Sequence, residues 1–255
     1  MSSNSDDYHN EAERNSAPAL TAALNDGKTH LLLAASGSVA IVKLPLIISS
    51  LTHHPNLSIR IILTQNAARF LTGQSPEQPT VASLSALPIV DAVYQDEHEW
   101  VEPWQRGASI LHIQLCRWSH LLIVAPLTAN TLAKISGGFS DNLLTSVIRA
   151  WDINPMNSKR ARIIVAPAMN SSMWAHPITA KQIRLLEEEW GVNGVNPDEG
   201  WIEVLRPQVK TLACGDFGQG GMCDWHEIVA VIENRLCLST LKSEDSRNIT
   251  LKSGT

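Results

Sequence analysis

Four short apolar runs constrain this chain more than any other feature: HLLLAA (30–35), LSIRIILT (57–64), HLLIVAP (120–126) and RIIVAPAM (162–169). Apolar residues occupy nearly every position rather than alternate ones. That is the pattern of a strand covered on both faces, as in a parallel sheet. Segments of helical length separate the runs. VAIVKLPLIISSL (39–51) follows the first, and its Pro45 marks either a kink or the true first turn of that helix. QNAARFL and TANTLAKIS open helices after the second and third runs. PITAKQIRLLEEEW (177–190) is an amphipathic helix ended by Gly191, and DWHEIVAVIENRLCL (224–238) is a closing helix capped by Asp224. Strand and helix alternation of this kind implies a parallel sheet with helices on both faces.

At 255 residues and 44% hydrophobic, the chain holds enough apolar material for one substantial core or two small ones. No repeat or linker divides it, so a single domain over 28–240 is expected. Residues 1–27 are rich in Ser, Asn, Asp and Glu and are expected to form a disordered tail, with 241–255 a second flexible one. The formal charge of −5 argues against a general nucleic-acid binder. No apolar run is long enough to cross a bilayer, and the N-terminus reads neither as a secretory signal nor as a transit peptide. Four cysteines make no disulfide framework, so a reducing, cytoplasmic setting is expected.

In such sheets ligands bind beyond the carboxyl ends of the strands. After the first run come Ser36, Gly37 and Ser38; after the second, Thr64, Gln65 and Asn66; after the third, Thr128, Ala129, Asn130 and Thr131. Each group is consistent with a plain helix cap. Three successive strand ends offering small hydroxyl or amide groups favour a phosphate-bearing cofactor held at helix N-termini. The pattern is neither G-x-G-x-x-G nor a Walker motif. After the fourth run, Asn170 is either a turn residue or an amide that orients a substrate. His112 is expected near a helix start, with Arg117 and Trp118 following; the imidazole suits proton transfer and the guanidinium suits an anion.

LACGDFGQGGMCDW (212–225) places Cys214 among four glycines within seven residues. Cys214, Cys223 and His226 fit none of the usual zinc spacings, so no metal is expected there. A proton-donating thiol on a mobile lid suits the glycines better.

Four segments in this order are highly specific together: SGSVA, LHIQLCRWSHLLIVAPLTANTLAKISGGFSDNLLTSVIRAWD, APAMNSSMWAHP and LACGDFGQGGM. Over residues 29–235 the chain resembles the FMN-dependent cysteine-decarboxylase flavoprotein family, and in particular its phosphopantothenoylcysteine decarboxylases. The resemblance implies a flavodoxin-like three-layer α/β/α fold with a parallel sheet, bound FMN, and a homotrimer with sites between subunits. Carried over by motif, Gly37, Ser38, Val39, Thr64, Thr128, Ala129, Asn130, Thr131 and Ala168 contact FMN. His112 matches the family's essential histidine, and Asn170 the asparagine that binds the substrate carboxylate. Met173 matches a methionine beside it, Cys214 matches the cysteine of the substrate-covering flap, and Arg117 is assigned to the substrate. The implied chemistry oxidises the cysteinyl thiol side of 4'-phosphopantothenoylcysteine, with His112 as base. CO2 is then lost from a carboxylate β to the thiocarbonyl, and Cys214 donates a proton as 4'-phosphopantetheine forms. Two departures stand out: DINPMNSKRAR is a longer link than expected, and Cys116 stands where relatives often carry Arg.

The resemblance also carries rivals. Some fungal relatives inhibit a protein phosphatase or supply only part of a composite site, and other members decarboxylate peptide cysteines or prenylate flavin. The presence together of His112, Asn170 and Cys214 favours a complete enzyme, and the Cys214 flap weakens the prenyltransferase reading.

Overall fold

The computed structural model describes residues 15–75, 78–101, 105–154, 162–192, 200–211 and 217–238. Six strands form one parallel sheet: β1 (Thr29–Ala35), β2 (Leu57–Leu63), β3 (Val90–Tyr94), β4 (Leu121–Leu127), β5 (Arg162–Pro167) and β6 (Ile202–Val204). Their order across the sheet is β3-β2-β1-β4-β5-β6. A separate antiparallel hairpin pairs β7 (Gln208–Thr211) with β8 (Phe217–Gly221). The helices are α1 (Ala17–Ala22), α2 (Leu44–Ser50), α3 (Gln65–Arg69), α4 (Val81–Ser85), α5 (Leu111–Trp118), α6 (Ala129–Gly137), α7 (Leu143–Arg149), α8 (Ser171–Ala175), α9 (Pro177–Arg184) and α10 (Trp225–Arg235). The parallel sheet is the one that the alternation implies, and the three-layer, flavodoxin-like arrangement is the one that the resemblance implies. Among the described residues no helix is long and apolar enough to cross a membrane.

The apolar runs are uninterrupted because the sheet is covered twice. Successive side chains of a strand point to opposite faces. Leu31, Leu33 and Ala35 therefore join one core, with Ile47 and Ile48 of α2 and Ile228 and Ile232 of α10. Leu32 and Ala34 join the other, with Leu115 of α5, Leu132 of α6 and Val147 of α7. Each fully buried Leu or Ile contributes roughly 1.5–3 kcal/mol, which commits the runs to the middle layer. The one charge in β2, Arg60, is 5% exposed. Its guanidinium stacks over Trp118 at 5.1 Å and donates to the Tyr94 hydroxyl. Burial pushes the Tyr94 phenol up to about 12, so this hydroxyl stays neutral beside the cation.

Pro45 stands in the first turn of α2, after a 3-10 stretch over Val39–Lys43. It starts the helix, because its missing N–H belongs to a position that has no partner inside the helix anyway. Asp224 caps α10 by accepting from the His226 backbone N–H at 2.9 Å. The amphipathic stretch after Pro177 is helical through Arg184 and then widens into a π turn over Leu185–Glu189.

The expected tail over 1–27 is corrected in its second half. Ser16 caps α1, a 3-10 turn follows over Ala23–Asn25, and Leu20 is fully buried against the α5 side of the sheet. The Asn15 side chain donates to the Val93 carbonyl at 3.0 Å. One well-placed leucine and a capped Ala-rich turn suffice to dock a segment whose composition reads as polar. Residues 1–14 and 239–255 lie outside the described residues, as does most of the long link, 155–161. Cys116 donates to the Val147 carbonyl at 3.1 Å, and burial pushes its thiol up to about 12. It acts as a packing residue between α5 and α7.

Candidate active site

Strand order reverses between β1 and β4, the point where doubly wound sheets open a crevice at their carboxyl edge. A cavity of about 590 Å³ lies at that edge, within the range of cofactor sites. Its walls come from the successive strand ends. Gly37, Ser38 and Val39 follow β1; Thr64, Gln65 and Asn66 follow β2; Thr128, Ala129, Asn130 and Thr131 follow β4; Ala168 and Met169 follow β5. All nine residues assigned to the cofactor from sequence are therefore brought together. Met173 of α8 completes one rim.

The cap reading and the ligand reading of the hydroxyls turn out to be compatible. Ser38 accepts from Ala40 N–H, Thr64 from Ala67 N–H and Thr128 from Thr131 N–H. Each cap orients a helix start toward the same space, so N–H groups and positive helix ends converge on it. Ser36 ties two of these turns together: its hydroxyl donates to the Pro126 carbonyl at 2.9 Å and accepts from Thr128 N–H at 2.8 Å. Gly37 is required by close approach. A Cβ there would lie 2.5 Å from Asn66 Cβ and 3.0 Å from the Asn66 carbonyl carbon. Gly37→Ala is therefore expected to push the first two turns apart and weaken FMN retention more than it lowers Tm; flavin content per chain and a melting curve check this.

The cavity also contains groups that the sequence reading did not single out. Lys134 Nζ donates to both Asp141 carboxylate oxygens, at 2.8 and 2.6 Å, and both residues line the wall. The hydrogen bond from Lys134 holds the Asp141 carboxyl below the usual carboxylate range. Asp96 also lines the wall, and its Oδ1 accepts from the N–H of Leu143 at the start of α7.

His112 stands in the first turn of α5 and is not among the described residues that line the cavity. The turn it pairs with begins at the cavity wall. Glu99 Oε1 lies 2.8 Å from His112 Nδ1, and Glu99 Oε2 accepts from the His112 backbone N–H at 3.2 Å. Glu99 belongs to the 3-10 turn over Asp96–Trp100, which begins with the cavity residue Asp96. The Glu99 side chain is 6% exposed and that of His112 is 24% exposed. A carboxylate can only accept, so Nδ1 is the donor in this pair, and in the neutral imidazole the lone pair is then the one on Nε2. Sequence reading missed Glu99; its thirteen-residue separation from His112 corresponds to no helical or strand period.

Asn170 caps α8, its Oδ1 accepting from Met173 N–H at 2.8 Å. With the amide oxygen committed to the helix, the NH2 is the group it offers, and an NH2 suits a carboxylate. Its neighbour Met169 lines the cavity. Arg117 is exposed in the last turn of α5 and is not brought to the cavity. Cys214 lies outside the described residues, but the hairpin that carries it does not: Thr211 pairs with Phe217, the two ends of the segment containing the thiol. The hairpin's base rests on the Asn170 turn, with Met169 N–H donating to the Gly220 carbonyl at 2.9 Å. Gly220 has φ +131°, and a Cβ there would lie 2.6 Å from the Met169 carbonyl oxygen. Only glycine permits that contact, which fixes the base of the hairpin against the Asn170 turn.

Comparison with known proteins adds the following. The family model described as Flavoprotein matches residues 20–237. A Mus musculus phosphopantothenoylcysteine decarboxylase is 39% identical over 81% of this chain and 86% of its own. A Schizosaccharomyces pombe protein named probable thymidylate synthase is 39% identical over 84% of this chain but only 30% of its own. A Saccharomyces cerevisiae phosphopantothenoylcysteine decarboxylase subunit, SIS2, is 37% identical over 83% of this chain and 41% of its own. The chain thus spans well under half of the matched yeast relatives. Among solved structures, a cysteine-to-serine variant of PPC decarboxylase complexed with pantothenoylaminoethenethiol superposes with TM-score 0.65 at 37% identity, covering 81% of this chain and 97% of that one. The FMN binding protein AtHal3 gives 0.61 at 37% identity, covering 81% and 96%.

Proposed function

This chain belongs to the flavoprotein family, and on that premise we propose that it is a phosphopantothenoylcysteine decarboxylase that binds FMN and converts 4'-phosphopantothenoylcysteine to 4'-phosphopantetheine and CO2. The observation that carries the reading is the convergence of three capped strand ends on one cavity, with the Glu99–His112 pair held by the turn that begins at the wall residue Asp96. The small residues and helix starts of that cavity fit FMN: Gly37 to Val39, Thr64, Thr128 to Thr131 and Ala168 would hold it. Bound FMN supplies the reversible two-electron oxidation that makes a cysteinyl carboxylate a leaving group.

The chain's own residues divide the remaining work. His112 Nε2, fixed in its tautomer by Glu99, accepts a proton from the cysteinyl side of the substrate. The Asn170 NH2 holds the carboxylate next to the apolar Met169 and Met173, where departure of neutral CO2 is favoured over a solvated anion. The Cys214 thiol delivers a proton to the decarboxylated carbon skeleton; thiols as a class are strong enough acids to serve as donors near neutrality. A thiol acting as an acid needs a reducing compartment, and the cytoplasm is the proposed location.

We assign a homotrimer on the family resemblance, and the surface supports it. His112 stands outside the cavity of its own chain, while Val39 and Met173 on the rim are 46% and 51% exposed. A neighbouring copy covering that rim would complete the site. A composite assembly is the second reading, favoured by the likeness to a yeast protein named as a decarboxylase subunit; in that branch a protein phosphatase is the further partner to test. The deciding experiment is an absorption spectrum of the purified chain, then incubation with 4'-phosphopantothenoylcysteine and mass spectrometry. A flavin spectrum, CO2, 4'-phosphopantetheine and a particle of three times the 27.9 kDa chain mass are expected. Flavin without turnover moves the assignment to the composite reading, and failure to take up supplied FMN sinks both.

A further inference from the structure

At the amino edge of the sheet, three metal-type donors from distant parts of the chain meet. His53 and His54 lie in the turn between α2 and β2, and Glu233 lies near the end of α10. Glu233 Oε1 is 3.4 Å from His53 Nε2 and 3.0 Å from His54 Nε2. One ligand atom from each residue falls within 4.8 Å of the other two. A tetrahedral ion with ligands at about 2.0–2.1 Å separates them by about 3.3 Å, and the two measured distances bracket that value. The imidazole rings are 3.9 Å apart between centroids and inclined by 42°, so both Nε2 atoms reach the same oxygen from different directions.

We propose that His53, His54 and Glu233 form a site for a divalent transition metal of the zinc class, which clips the closing helix to the amino edge of the sheet. Two imidazoles with one carboxylate suit Zn²⁺ and its neighbours, whereas Mg²⁺ and Ca²⁺ favour sets made of oxygen. The His53 side chain is 52% exposed, which leaves the set open to an ion from solvent, while that of His54 is 6% exposed. The site is separate from the cofactor cavity, since the seven residues of β2 lie between the histidine turn and Thr64, a span of about 23 Å. His54 and Glu233 are 179 positions apart. Unfolding therefore scatters the donors, and a metal that binds the assembled set stabilises the folded chain.

The test uses full-length, FMN-loaded protein stripped with EDTA and titrated calorimetrically with ZnCl2. The wild type is expected to bind one equivalent that His53→Ala weakens by more than roughly tenfold, the loss that changes around metal ligands commonly produce. Tm should rise with Zn²⁺, fall back with EDTA, and stay unmoved by MgCl2. Glu233→Gln supplies a second variant, flavin content reports folding in each, and His226→Ala controls for the exposed histidine on the same helix. Equal zinc affinity in wild type, His53→Ala and Glu233→Gln, a Tm response shared by all three, or no zinc uptake by the wild type would each overturn the site.

Discussion

His112→Ala is expected to lower kcat by roughly 10²–10⁴-fold, the usual worth of a positioned acid–base group, with FMN still bound. The residue lies outside the cavity wall, so its loss should not empty the cofactor site. Glu99 gives the prediction its second arm. Glu99→Gln leaves His112 in place but substitutes an amide that can donate to Nδ1, which allows the wrong tautomer. It should lower kcat less than His112→Ala does, with KM nearly unchanged, and Glu99→Asp should recover part of the loss. A purely structural Glu99 would instead lower Tm and flavin content in both variants. Steady-state kinetics, melting curves and flavin content on the three proteins separate these outcomes.

Cys214→Ser is the second large effect. A serine hydroxyl keeps the shape and the hydrogen bonding of the thiol but is far too weak an acid to release a proton near neutrality. CO2 release is therefore expected to continue for one turnover while 4'-phosphopantetheine formation stops, leaving a species two hydrogens short of the product. Mass spectrometry of the quenched reaction detects it. Normal product from the variant would remove Cys214 from the proton path and leave the hairpin as a cover only. The variant should fold, because the described contacts that anchor the hairpin are made by Gly220 and Met169.

The sequence determined the frame of this protein. Runs such as HLLIVAP admit little but a strand covered on both faces, because each apolar side chain must leave water on whichever side it points. The hydroxyl and amide residues that follow those runs sit at the helix starts, since Ser38, Thr64, Thr128 and Asn170 each satisfy an otherwise unpaired N–H. That local rule also placed residues of three strand ends around one cavity. Less was legible where the partner is remote. Leu20 reads as part of a polar tail until a groove beside α5 buries it. β6, with three residues, and the glycine-rich β8 carry too little pattern to be read as strands. Glu99 reaches His112 across a loop, and Glu233 reaches His54 across most of the chain. Arg117 shows the converse: a cation close to His112 in sequence is exposed, because five residues along a helix carry a side chain to a different side. Local capping and hydrophobic period are written in adjacent residues; the pairing of His112 with Glu99, or of two histidines with a distant glutamate, exists only once the layers have packed.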